Sequence, residues 1–147
     1  MKYLLALIIF ISSPFVRAEN CLYGELVELD SIVNCAQKGD TTAMYGLGEI
    51  YFQGKEVPRN YKTAFEWTFK AADQGDKTAQ GSLGFYYYNG WGTKKDLLQA
   101  YMWWSLSIVY NEEPILRNNI DNLELELSKA DLARAQEMAS EWMTSHK

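Results

Sequence analysis

"AMYGLGEIYFQG" (residues 43–54) and "AQGSLGFYYYNG" (residues 79–90) are two versions of one phrase, set thirty-six residues apart. The same shift lays Ala43 on Ala79, Leu47 on Leu83, Gly48 on Gly84, Tyr51 on Tyr87, Gly54 on Gly90, Ala64 on Ala100 and Trp67 on Trp103. Upstream, Ala36, Gly39 and Asp40 anticipate Ala72, Gly75 and Asp76. A constant offset without gaps marks a repeat architecture, in which each copy is one supersecondary unit that buries its apolar face only by stacking on the next.

Within a unit the spacing is helical. Ala43, Leu47 and Tyr51 step by four and share a face, and Gly54 follows as a helix-ending residue. Asn60 stands at an N-cap position before a second run through Ala64, Trp67, Phe69, Ala71 and Ala72 that stops at Gly75. The second unit repeats this grammar, with Asp76 as cap, Gly90 as stop and "DLLQ" at Asp96 to Gln99 as a capping box. Beyond Tyr110 the period decays. Pro114 suits a first helical position, Leu116, Ile120, Leu123 and Leu127 form a stripe, and Ser128 with Asp131 opens a last helix carrying Leu132, Ala135, Ala139 and Trp142. The expected fold is all-α, an α/α solenoid of about three helix-turn-helix repeats wound as a right-handed superhelix. Its parts are repeats at 43–78 and 79–111, an N-terminal cap helix at 22–38 and C-terminal cap helices over 114–144.

These residues resemble the Sel-one-like repeat, a relative of the tetratricopeptide repeat. The first unit matches that pattern at Ala43, Leu47, Gly48, Tyr51, Gly54, Val57, Ala64, Trp67, Lys70, Ala71, Ala72 and Gly75. It departs at Glu56, where a glycine is usual, and at Asn60, where an aspartate is usual. The second unit matches at Ala79, Leu83, Gly84, Tyr87, Gly90, Gly92, Asp96, Ala100 and Trp103 but closes differently, with "LSIVYN" in place of "KAA" and a glycine. The resemblance implies an interaction scaffold of a kind frequent in exported bacterial proteins. A cysteine-rich branch linked to β-lactam binding carries a cysteine pair in each repeat, which this chain does not.

The residues offer little to catalysis. The single histidine, His146, is next to the last residue, where a frayed tail cannot hold it in a preorganised site. No serine precedes a lysine by three residues, and Gly54, Gly90 and Gly92 read as helix stops and turns rather than a phosphate loop. Acidic pairs such as Glu112/Glu113 and Glu124/Glu126 do not face one another on a helix. With two cysteines and one histidine, neither a metal site nor a cofactor is expected.

The second unit is rich in rings: Phe85, Tyr86, Tyr87, Tyr88, Trp91, Tyr101, Trp103 and Trp104. Tyr87, Tyr101 and Trp103 are in register with Tyr51, Phe65 and Trp67 and are expected in the core. Phe85, Trp91 and Trp104 have no aromatic register mate, and Tyr88 answers Phe52, so this set divides between extra core and a binding surface. The first helix of each pair lines the concave side, which makes Glu49, Phe52, Phe85 and Tyr88 the candidate contact residues. The expected function is binding of another envelope protein or peptide. The competing readings are a small cell-wall-directed enzyme and a β-lactam- or glycan-binding protein.

At the N-terminus, Lys2 precedes an apolar run from Leu4 to Ile11 and a cleavage-like "VRA" at 16–18, so residues 1–18 read as a signal peptide and 19–147 as a single domain. The apolar run is far shorter than the ~20 residues of a membrane-spanning helix. Glu19 and Asn20 before Cys21 argue against lipid attachment there. Removing Lys2 and Arg17 takes the net charge from −5 to −7, and no basic cluster remains to bind nucleic acid or an anionic membrane. A periplasmic or secreted location exposes Cys21 and Cys35 to oxidation, and a single disulfide between them is the favoured pairing. The other readings are two buried thiols or an intermolecular link. On one straight helix, fourteen steps of ~1.5 Å would hold the two cysteines about 21 Å apart, so the bond requires a helix break at Gly24 or a fresh start at Asp30. Export predicts a mature chain beginning at Glu19; N-terminal sequencing of periplasmic or secreted material that returned Met1 would contradict it.

Overall fold

The computed structural model describes residues 28–109 and 113–146. Among them are seven α-helices and no strand: α1 (Leu29–Gln37), α2 (Thr41–Gln53), α3 (Tyr61–Asp73), α4 (Lys77–Asn89), α5 (Leu97–Ile108), α6 (Pro114–Glu126) and α7 (Lys129–Ser145). The two repeats are the pairs α2/α3 and α4/α5, joined by packing of α3 on α4. Helix α1 lies on α2, and both α6 and α7 lie on α5.

Equivalent bonds start and stop equivalent helices. The Asp40 and Asp76 carboxylates each accept the amide of the residue three places on, Ala43 and Ala79, at 2.8 Å. Asn60 accepts from the Thr63 amide at 3.1 Å, and Asp96 accepts from the Leu98 and Gln99 amides at 3.0 Å. Gly54 and Gly90 end α2 and α4 in the left-handed conformation, at φ 67° and 73°. The loops that follow close alike: the Asn60 amide donates to the Tyr51 carbonyl and the Asp96 amide to the Tyr87 carbonyl, both at 2.9 Å.

Of the N-terminal helix expected at 22–38, residues 22–27 lie outside the described residues, and α1 covers Leu29–Gln37. Glu28 is extended, and its carbonyl accepts the Ser31 and Ile32 amides at 2.9 and 3.2 Å, so α1 starts at Leu29. Residues 1–27, with the expected signal peptide and Cys21, lie outside the described residues. Cys35 is buried in α1 beside Ala36.

The two helices of each repeat meet at a glycine. A Cβ added to Gly48 would stand 2.5 Å from the Thr68 hydroxyl and 3.3 Å from the Ala64 carbonyl of α3. A Cβ on Gly84 would run into the Trp104 indole of α5. Thr68 and Trp104 hold the same register position, and both are buried. Trp104, placed above with the aromatics lacking a mate, is therefore core at 1% exposure, its indole N–H donating to the Gly81 carbonyl at 3.1 Å.

The register mates pack on the core to different depths. Trp103 is buried under Phe69 and Trp142, with ring centroids 5.9 Å away in both cases. Trp67 is only half-buried, and the Lys70 ammonium lies 4.1 Å over its ring. The difference is α7, which brings Trp142 onto Trp103. Tyr87 also stays half-buried, edge-on to Phe65 at 5.4 Å, while its neighbour Tyr86 takes the buried place.

One buried hydrogen bond ties the second repeat to the first, and a partly buried chain continues it from α4 to α5. The Gln80 amide, fully buried, donates to the Ala72 carbonyl of α3 at 3.1 Å. Lys77 Nζ donates to Gln80 Oε1 at 3.1 Å and to the Leu106 carbonyl at 3.0 Å, and the Ser107 hydroxyl donates to the Lys77 carbonyl at 2.7 Å. Satisfied networks of this kind specify one docking arrangement, because any slip strands a buried donor. The glycine contact yields a contrast. Gly84→Ala should cost ~1–3 kcal/mol by overpacking against Trp104. Gly46→Ala, where a Cβ meets nothing within 4 Å, should be neutral or gain about 0.5–1 kcal/mol from helix propensity. Urea unfolding of both variants checks this, and equal responses would contradict it.

Candidate functional site

Helix α2 supplies Glu49 and Phe52, and α4 supplies Ser82, Phe85 and Tyr86, to a cavity of about 260 Å³ that Trp91 completes from the α4–α5 loop. The loop holds Trp91 firmly. Its amide donates to the Tyr86 carbonyl at 3.0 Å. Gly92 follows at φ 71°, pressed so closely on the Tyr61 carbonyl that no Cβ would fit. The Trp91 indole thereby stacks on Tyr61 (6.1 Å) and meets Phe52 (5.1 Å), and Phe52 in turn touches Tyr61 (5.3 Å) and Tyr86 (5.6 Å). Four rings form one aromatic wall.

Polar groups sit at its edge. The Tyr45 and Ser82 hydroxyls are 3.3 Å apart and link α2 to α4. Glu49 is half-buried and has no ion-pair partner among the described residues. Burial pushes the Tyr86 phenol up to about 12; the Thr68 hydroxyl opposes that rise and the Glu49 charge adds to it. Tyr45 is likewise raised, by burial first and then by the charges of Glu49 and Asp76, against the Ser82 hydrogen bond. Neither the Tyr86 nor the Thr68 hydroxyl reaches a partner at full hydrogen-bond distance.

Three of the four candidate contact residues, Glu49, Phe52 and Phe85, therefore line one cavity. Tyr88 lies apart, over Trp104 at 5.6 Å with the Lys95 ammonium 5.1 Å above its ring. Although Tyr88 and Phe52 are register mates, the slot beneath them differs: a large indole supports Tyr88, whereas Thr68 stands at the corresponding place in the first repeat. Phe85 leans on the same indole at 5.1 Å and joins the cavity to the core. Ser82 and Phe85 also border a second cavity of about 320 Å³, toward Lys77, Ser107 and Leu116, so two neighbouring cavities meet at these residues of α4. Trp91 and Tyr86 are the contributors that sequence reasoning did not single out. The only signal for Trp91 was its lack of a register mate, since Lys55 stands at the equivalent place.

His146 does not fray as expected. Its ring stacks on Trp142 at 4.1 Å, and Nε2 lies 3.3 Å from Asp73 Oδ1 at the end of α3. Among the described residues there is no cluster of three or more His, Cys, Asp or Glu able to hold a metal, and no helix long and apolar enough to cross a membrane.

Paired antiparallel helices repeated at a fixed period, with a groove along the first helix of each pair, define an α/α repeat protein. The Sel1 repeat pattern matches residues 41–76 and 78–108, so the chain carries two Sel1 repeats. Among solved structures it is similar to c5321, a protective antigen present in uropathogenic Escherichia coli strains displaying an SLR fold, with 29% identity and a TM-score of 0.75. That match covers 80% of this chain but only 25% of c5321. It is also similar to a Sel1 repeat protein from Oxalobacter formigenes, with 29% identity, a TM-score of 0.61, and coverage of 64% of this chain and 70% of that one. No curated protein matches the chain. Sel1 repeats generally serve as protein–protein interaction scaffolds without catalytic activity.

The raised phenol carries a pH dependence. Between pH 10, the ordinary tyrosine value, and about 12, the unfolded chain loses the Tyr86 proton while the folded chain keeps it. Stability should be complete below pH 10 and fall across that window. Urea midpoints measured from pH 9 to 12 should show the fall, and Tyr86→Phe should flatten it.

Proposed function

We propose that this protein is an exported binding scaffold whose α2–α4 groove receives an extended segment or loop of another envelope protein. The observation that carries the reading is the cavity itself. It gathers Phe52, Phe85, Tyr86 and Trp91 around one carboxylate, on the helices that a repeat protein turns toward its partners. Held aromatic rings supply large contact area at low entropic cost, and interface energy concentrates in such anchors. With only two full repeats, a few anchors must carry most of the affinity.

Export rests on the N-terminal sequence and gains support from two further points. The structural relative c5321 is described as a protective antigen, a description that fits a protein antibodies can reach. Cys35 has no free thiol, and Cys21 is the one other cysteine in the chain. The late start of α1 at Leu29 removes the straight-helix objection to joining them. The reading includes a Cys21–Cys35 disulfide closing a loop of about fifteen residues, worth ~3 kcal/mol in the chain-entropy description.

Filling the cavity tests the function without removing core. Ser82→Trp places an indole in the groove from a half-buried position and leaves Trp104 and its glycine contact intact. In pull-downs from envelope extracts the wild-type chain should retain a partner whose affinity for Ser82→Trp is at least about tenfold weaker, or ~1.4 kcal/mol, with a melting curve that stays cooperative and falls only by what the lost Tyr45–Ser82 hydrogen bond contributes, about 0.5–1.5 kcal/mol. A partner held equally by both proteins would place the interaction elsewhere on the molecule.

A further inference from the structure

Resting on that groove reading, we infer that the pocket between α2, α4 and the Trp91 loop takes a cationic side chain, an arginine guanidinium or a lysine ammonium, from the bound segment. Glu49 is half withdrawn from water and lacks an ion-pair partner among the described residues. No lysine or arginine lines the pocket. A carboxylate in that position gains most from a cation arriving with the ligand, because burial weakens the screening between them.

The rings favour the same occupant. The faces of Trp, Tyr and Phe carry negative quadrupole charge and attract cations placed over them. Elsewhere on this surface the chain's own cations already do so: Arg59 over Tyr61 at 5.7 Å, Lys70 over Trp67 at 4.1 Å and Lys95 over Tyr88 at 5.1 Å. Phe52, Phe85, Tyr86 and Trp91, which surround Glu49, have none. Lys55, the nearest base along the chain, is exposed, and Arg59 is engaged by the Tyr61 hydroxyl at 3.4 Å and the Gln53 carbonyl at 3.3 Å.

The alternatives fare worse on the same grounds. An aliphatic side chain would strip further water from the half-buried Glu49 and return no charge to replace it, leaving only the Tyr45 hydroxyl beside it. An acidic side chain would meet like charge. At long range the net charge of −5 attracts a basic segment and repels an acidic one.

The test pans a displayed library of random seven-residue peptides against the full chain and keeps the peptides that bind wild type but not Ser82→Trp. These should carry Arg or Lys. Citrulline for arginine, or norleucine for lysine, should weaken binding by calorimetry at least about tenfold. Glu49→Gln, checked by its melting curve, should do the same, with little additional loss when the two changes are combined. Affinity should also fall as salt rises. Groove-dependent peptides without a cation, or binding indifferent to both the neutral isostere and Glu49→Gln, would overturn the inference and leave the groove reading standing. Recovery of no peptide sensitive to Ser82→Trp would overturn both.

Discussion

Gly48 and Gly84 set the distance at which the two helices of each repeat can lie. A helix shows a partner its side chains before its backbone, and only a residue without Cβ lets the partner's side chain reach the backbone itself. At Gly48 the visitor is the Thr68 hydroxyl, and at Gly84 it is the whole Trp104 indole. Seating that indole between α4 and α5 determines what lies above it, since Phe85 and Tyr88 both rest on it. The groove depends on Phe85, and Phe85 depends on the missing methyl at Gly84.

The fold was legible because its signals are local and repeated. Asp40, Asn60, Asp76 and Asp96 stop and start helices through bonds to amides two or three residues away, and Gly54 and Gly90 end them by a conformation other residues avoid. Such devices work from sequence neighbours alone. The site was half legible for the opposite reason. Glu49, Phe52 and Phe85 could be assigned to the first helices of successive pairs, but register says nothing of volume. Thr68 and Trp104 share a position and differ threefold in bulk, so the rings above them settle differently and Tyr88 parts company with Phe52. Trp91 reaches the pocket through a loop whose path is fixed by the contact of Gly92 with the Tyr61 carbonyl, a long-range fact that periodicity does not encode. The full burial of Trp103 beside the half-burial of Trp67 likewise turns on α7, which returns from far along the chain.

The groove joins two features that look unrelated in the sequence, the excess of aromatic residues in the second unit and the acidity of the whole. Aromatic walls give grip without regard to charge, and a single carboxylate among them gives choice. Here Glu49 is the one acidic or basic side chain among the described residues that line the pocket. Specificity through one uncompensated charge is economical in a small protein, because it needs no loop rearrangement and no second domain.

The last helix gives the stack a property that open arrays lack. In a linear solenoid each unit touches only its neighbours, and the ends can melt one layer at a time. Here Ala139 and Trp142 of α7 enter the same core as Ala43 and Ala64 of the first repeat, and His146 reaches Asp73 at the end of α3. A helix that begins more than fifty residues downstream of the first repeat thus helps to clamp it. Loss of α7 would uncover Trp103 and the end of α3 together, so the last helix ties the second repeat to the first.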